Sequence, residues 1–208
     1  EWIAGFSKQK TAKMTRGNLV ELYFEGDEAF DAMAEAIQSA EVFVHLEMYL
    51  FFSDTVGKRF AGLLSDKARE GIPVRVVYDA IGSIEASARM FEGMEKAGVV
   101  VEVFRPVAPW RKRSGILGRN HRKNLIIDGR VAFTGGVNLG DNWSRKEKGK
   151  EVWRDTHIKL EGPVAAACDH FFRETWKKVD GCALPEEGHF KIDDDGPGES
   201  ACMVVGGG

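Results

Sequence analysis

Apolar residues recur along this chain with two different periods. Leu19 to Phe24 reads as a short strand. After Gly26-Asp27, Phe30, Met33, Ala36 and Ile37 fall on one stripe and predict an amphipathic helix. Glu41 to Phe51 alternates, but both of its faces are mostly apolar. A central strand covered on two sides has that pattern. Ser53 or Asp54 is placed to cap a second helix carrying Phe60, Leu63, Leu64 and Ala68, with Gly71 to end it. Pro73 to Tyr78 is a strand, Ala86 to Ala97 a helix closed by Gly98, and Val99 to Phe104 a further strand. Strands alternating with helices imply right-handed βαβ units. The expected fold class is α/β: a mixed, largely parallel central β-sheet flanked by helices on both faces. Near the end, Val152 to Leu160 alternates as a strand. Gly162-Pro163 then opens a helix whose stripe is Val164, Ala167, Cys168, Phe171, Phe172 and Trp176.

The stretch between these halves holds the chemistry. Residues 120–138 read N-H-R-K-N-L-I-I-D-G-R-V-A-F-T-G-G-V-N. Asp128-Gly129 between β-branched runs predicts a two-residue hairpin turn that pairs Ile127 with Arg130. In that register Lys123 faces Thr134, His121 faces Gly136, and Asn138 lies just past His121. Alternation along a strand places His121 and Lys123 on one face. Gly135 and Gly136 leave room for a ligand and let backbone N–H groups approach it. Histidine can attack phosphorus or move protons near neutral pH, and lysine supplies positive charge to phosphoryl oxygens. The alternative for a lone His-x-Lys is an ordinary polar surface hairpin.

The spacing H-x-K-x-x-x-x-D followed by G-G-x-N resembles the HKD motif of the phospholipase D superfamily. The matching residues are His121, Lys123, Asp128, Gly135, Gly136 and Asn138. The wording is most similar to the N-terminal half of bacterial cardiolipin synthases, from about Asn18 to about Val179. That resemblance implies a phosphohistidine on His121, with Lys123 and Asn138 binding phosphoryl oxygens. Asp128, a turn residue, is expected to hold the loop rather than touch substrate. The element W-R-D-T-H resembles one whose carboxylate orients the nucleophilic histidine, which points to Asp155. No cofactor and no metal are implied. The Asp193 to Asp195 run lacks the glutamate spacing of a calcium loop, and Pro197 interrupts it.

Composition narrows the partners. At 43% hydrophobic and 29% charged, the chain has a typical globular balance, and its net charge of −3 supplies no overall basic field for nucleic acid. Its three cysteines have no metal or redox spacing. Locally the balance reverses. Arg105, Arg111, Lys112, Arg113, Arg119, Arg122 and Lys123 occur with no acidic residue from Arg105 to Ile127. With Trp110, Ile116 and Leu117 among them, these cations suit an anionic lipid surface. Arg119 and Arg122 are the candidates nearest the motif for phosphate binding. His45 and Glu47 share a strand face, and a buried hydrogen-bonded pair is expected there rather than a place in the site.

Residues 1–17 read as an arm, 18–180 as a catalytic lobe with one H-x-K-x-x-x-x-D, and 181–208 as a linker toward a second lobe. The chemistry of the family uses two such histidines, so the second must come from a further half or from another copy. The resemblance implies a phosphatidyltransferase joining two phosphatidylglycerol molecules at the bacterial inner membrane. The alternatives are a phosphodiesterase or homodimeric nuclease of the same chemistry, and a non-catalytic membrane-binding lobe.

Overall fold

A computed structural model describes residues 14–106, 118–185 and 196–206. Its strands are β1 (Thr15–Tyr23), β2 (Val44–Met48), β3 (Val74–Asp79), β4 (Val100–Phe104), β5 (Asn124–Ile127), β6 (Val131–Gly135), β7 (His157–Glu161) and β8 (Ser200–Cys202). They form one sheet in the order β4-β3-β2-β5-β6-β7-β1-β8. The helices are α1 (Gly26–Gln38), α2 (Thr55–Arg69), α3 (Ala88–Lys96), α4 (Arg145–Lys148) and α5 (Pro163–Asp180).

The sheet is mixed and covered on both faces, as the apolar pattern requires. Its balance differs from the expectation of a largely parallel sheet. Only β2–β3 and β3–β4 run parallel; every other neighbour pair is antiparallel. The two parallel pairs are the ones joined by the helical crossovers α2 and α3, whereas β5 and β6 are joined by a tight turn and so reverse direction.

Two cores result from the alternation of side chains. Val44, Leu46 and Met48 of β2 pack with Phe30, Met33 and Ile37 of α1, and with Phe60 and Leu64 of α2. On the other face, Phe43, Ile126, Ala132 and Leu160 meet Val164, Cys168, Phe172 and Trp176 of α5. Asp54 caps α2 by accepting from the Gly57 N–H at 3.0 Å, and Gly181 (φ 83°) ends α5 in the left-handed region.

The hairpin register is one residue away from the expected one. Asp128 and Gly129 both take positive φ (55° and 66°), as the turn demands, and the Arg130 N–H bonds the Ile127 carbonyl at 3.0 Å. Yet Ile127 pairs with Val131, and Asn124, not Lys123, faces Thr134. Arg130 is an extra residue in the turn, and its carbonyl accepts from the Gly162 N–H beyond β7. The ladder stops at Asn124, so His121 and Lys123 lie in an extended lead-in.

Two further expectations change, and the polar stretch 142–150 carries α4. It is docked on α1 through Ser144 to Asp27 (2.6 Å), Lys146 to Asp31 (3.1 Å) and Arg145 to Glu25. The segment read as a linker carries β8, which pairs with β1, and β1 itself starts inside the segment read as an arm. No helix among the described residues is long and apolar enough to cross a membrane.

Candidate active site

Two buried carboxylates fix the segment that carries the motif. Glu47, on β2, is fully buried; it accepts from Asn120 Nδ2 at 2.6 Å and from Asn124 Nδ2 at 3.1 Å. Burial raises its pKa, opposed by those bonds and by Arg122. Asp79, at the carboxyl end of β3, accepts from the Asn120 N–H at 3.1 Å and from the Ile81 and Gly82 N–H groups. The residues flanking His121 are thus anchored on both sides.

His121 itself is exposed, with its ring 4.4 Å from that of Tyr49. Lys123 is almost fully buried. Its ammonium donates to the His121 carbonyl at 2.8 Å and lies 3.2 Å from His121 Nδ1. The same ammonium sits 5.1 Å over the Tyr49 ring. The lysine side chain folds back along its own backbone, which brings the two groups together without a strand ladder. Desolvation lowers the Lys123 pKa to about 8, opposed by Asp155. It remains mostly charged at neutral pH. The His121 pKa is also lowered, first by desolvation and then by Lys123, while Asp79 opposes both. A neutral ring with a free nitrogen lone pair is the form that can attack phosphorus.

The glycines make space for a carboxylate. A side chain on Gly136 would overlap the Asp155 carboxylate, and one on Gly135 would meet the Thr156 carbonyl and His157 Nδ1. Asp155 lies just before β7, accepts from the Thr156 N–H at 2.9 Å, and acts electrostatically on Lys123 and His157. It is bonded to that amide and not to the His121 ring. Asn138 is tied into the loop: Oδ1 accepts from the Leu50 N–H at 3.0 Å and Nδ2 donates one of its two hydrogens to the Gly136 carbonyl at 3.3 Å. Between them these bonds tie the glycine loop to the end of β2.

Asp128 stands at the opposite end of the hairpin, as its turn position implies. It accepts from the Glu41, Val42 and Phe43 N–H groups at 2.8–3.0 Å. Arg119 pairs with Asp79 at 3.5 Å and donates to the Arg105 carbonyl. Arg122 donates to Thr175 Oγ1 at 3.1 Å and lies over the Phe171 ring. Both are engaged by protein groups, although Arg122 also lines the cavity beside His121. The rest of the basic loop, with Trp110, Arg111, Lys112, Arg113, Ile116 and Leu117, lies outside the described residues. His45 and Glu47 do not pair with each other. His45 bonds Asp169 at 2.7 Å and stacks between Phe43 and Phe172, while Glu47 serves the motif segment.

Sequence reasoning passed over Tyr49, which packs on His121, and left Asp79 out of the site. Asp79 had a signal in its position at a strand's carboxyl end. Tyr49 had only its alternation with Glu47. His157 is a further surprise. With Lys159 it repeats the H-x-K spacing, but it is buried, and Val164 stands where the motif's aspartate would be.

A sequence model of the family described as "Cardiolipin synthase, PLD-like domain" matches residues 33–176. The chain belongs to this phospholipase D-like family. It is 37% identical over 159 residues to cardiolipin synthase A of Pseudomonas fluorescens, covering 76% of this chain and 33% of that protein. It is 38% identical over 168 residues to a cardiolipin synthase of Listeria innocua, covering 81% and 35%. The chain therefore spans about a third of the length of these curated relatives. Among solved structures, NucT from Helicobacter pylori matches with a TM-score of 0.61 at 18% identity, covering 78% of this chain and 98% of that one. Nuc from Salmonella typhimurium, a phospholipase D family member, matches at 0.59 and 16%, covering 78% and 96%. At these identities the structural likeness establishes the fold: one phospholipase D-like lobe.

Proposed function

We propose that this chain is one catalytic lobe of a cardiolipin-synthase-type phosphatidyltransferase. The observation that carries the reading is the Lys123 ammonium held 3.2 Å from the His121 ring nitrogen, both lining one cavity. The relatives named cardiolipin synthase, similar over most of this chain, support the choice of reaction.

In the proposed reaction a neutral His121 nitrogen attacks the phosphorus of phosphatidylglycerol. A P–N bond forms and the P–O bond to the headgroup glycerol breaks. A histidine of a second lobe gives the departing oxygen its proton. A hydroxyl of another phosphatidylglycerol then attacks the phosphohistidine, returns a proton to that second histidine, and releases cardiolipin. Lys123 stabilises the negative charge that grows on the phosphoryl oxygens, a role worth roughly 10²–10³ in rate. The Gly135-Gly136 loop makes room for Asp155, which supports the charged state of Lys123 beside it. Asp128 and Asn138 hold the hairpin and the glycine loop in place. Arg119 and Arg122 steer the anionic headgroup.

The second lobe is supplied by a longer chain or by another copy of this one. The working place is the surface of the bacterial inner membrane, and nucleic acid is not an expected substrate. The test is product analysis with phosphatidylglycerol vesicles, after this lobe has been joined with a second one. Cardiolipin and free glycerol are expected, and a labelled phosphatidyl group should be trapped on His121 and absent in His121→Ala. Phosphatidic acid with no cardiolipin would make water the acceptor and the protein a hydrolase. Trapping unaffected by His121→Ala would remove the nucleophile.

A further inference from the structure

The cavity at His121 and Lys123 extends well past the chemistry. Its volume is about 550 Å³, within the range of cavities that take a small ligand. The polar lining comes largely from one stretch, His121 to Asn124. The remaining walls are apolar: Ile158 and Leu160 of β7, Val164, Cys168 and Phe171 of α5, and Val204 after β8. The Cys168 thiol is pushed up to about 12, chiefly by desolvation, consistent with an apolar wall. Val20 of β1 also lines the cavity. Leu22, two residues on and therefore on the same face, pairs with Ile158. Val20 is 38% exposed and Leu22 53%, so an apolar track leads from the cavity to the surface.

We propose that this groove between the sheet and α5 binds a fatty acyl chain of the anionic phospholipid whose phosphate sits at His121 and Lys123. A tail is drawn out of the bilayer rather than left in it. The charge pattern selects this occupant: a cation and an imidazole at the polar lining suit a phosphodiester, and continuous apolar walls suit an unbranched chain. Water would leave these walls without hydrogen-bond partners. A polar peptide strand would bury backbone groups against side chains that cannot pair with them. The segment 202–206 forms part of the enclosure and is held there by β8 pairing with β1. Its placement gives this segment a role in substrate binding. The proposal rests on the phospholipid reading above and adds where the tail goes.

The experiment measures binding, not turnover, by the intact chain. The probes are glycerophosphoglycerol and monomeric phosphatidylglycerols whose acyl chains lengthen two carbons at a time. Affinity is expected to rise about fourfold for each methylene that enters the groove. A phosphatidylglycerol with a diazirine on its chain should crosslink to Phe171 and Val204. Ile158→Trp and Val204→Trp, both at partly exposed positions, should fill the groove. They should remove the chain-length gain and leave glycerophosphoglycerol binding intact. Glycerophosphoglycerol bound with no gain from longer chains would overturn the acyl site and leave the phospholipid reading standing. Crosslinks confined to the surface outside the groove, or an undiminished gain in both tryptophan variants, would overturn it equally. Failure of every probe to bind would overturn the phospholipid reading and this site with it.

Discussion

Glu47 accepts a 2.6 Å hydrogen bond from the side chain of Asn120, so a carboxylate buried in the sheet holds the residue next to the candidate nucleophile. Glu47 also accepts from Asn124, where β5 begins. The lead-in carrying His121 and Lys123 is therefore pinned at both ends by one side chain. Glu47→Ala leaves two amides without their acceptor and is expected to cost about 2–4 kcal/mol of stability. Glu47→Gln keeps the shape but turns one acceptor into a donor facing an amide. We expect it to fold with a smaller loss, yet to lower phosphoenzyme trapping at His121 at least tenfold. Urea unfolding and trapping, measured on both variants, check this. Trapping at wild-type levels in Glu47→Gln would mean that the anchoring does not matter to the chemistry.

Gly136 offers a way to ask what Asp155 does. Its backbone is not in the left-handed region, so alanine is allowed conformationally, but the added methyl would occupy the space of the Asp155 carboxylate. Asp155 is exposed and can swing away. Gly136→Ala should then change stability by less than about 1 kcal/mol while displacing that carboxylate. If Asp155 works from its present position, Gly136→Ala and Asp155→Ala each reduce activity and the double variant is no worse than Asp155→Ala alone. Losses that simply add in a double-mutant cycle would separate the two residues.

Lys123 gives a pH dependence to anion binding. Burial lowers its pKa to about 8, and an anion in the site would stabilise the charged form. Binding of sulfate, which does not titrate in this range, should weaken as pH rises through about 8. The loss should be roughly tenfold between about pH 7 and about pH 9. Lys123→Met should bind sulfate weakly and without that pH dependence. The same dependence surviving in Lys123→Met would assign it to another group.

Much of this was legible in the chain and some was not, for identifiable reasons. The amphipathic stripes of α1, α2 and α5 and the two-sided burial of β2 follow from periodicity, because burial enforces it. The sheet's parallel share could not be read that way. Strand direction depends on how each connection returns, and the stretch after β4 carries no helical pattern. The register error has a local cause: an Asp-Gly turn specifies its own two residues, while the extra Arg130 is stabilised by Gly162, far along the sequence. Motif spacing alone could not show the clip that Asn138 makes. Its partners, the Leu50 N–H and the Gly136 carbonyl, are tertiary. β8 escaped notice because three residues among glycines and acidic residues have no period to detect.

His157 should make the fold sensitive to mild acid. It is buried, its Nδ1 has no hydrogen-bond partner among the described residues, and Gly135 lies directly against that atom. Desolvation lowers its pKa to about 4, with Lys123 adding to the effect and Asp155 opposing it. An unfolded chain would protonate the ring near its ordinary value of about 6.5. Between those two values the unfolded state binds the extra proton, so stability is full above about pH 6.5 and falls as pH drops toward about 4. Between about pH 7 and about pH 5 this group alone accounts for a loss on the order of 2 kcal/mol. His45 and His121 are shifted the same way and add to the slope. His157→Gln cannot titrate, so its unfolding free energy should fall less over that interval, by about the same amount. Urea titrations of wild type and variant at both pH values give the comparison directly. Equal slopes would place the acid sensitivity on the other two histidines and show that the ring at 157 is solvated in solution.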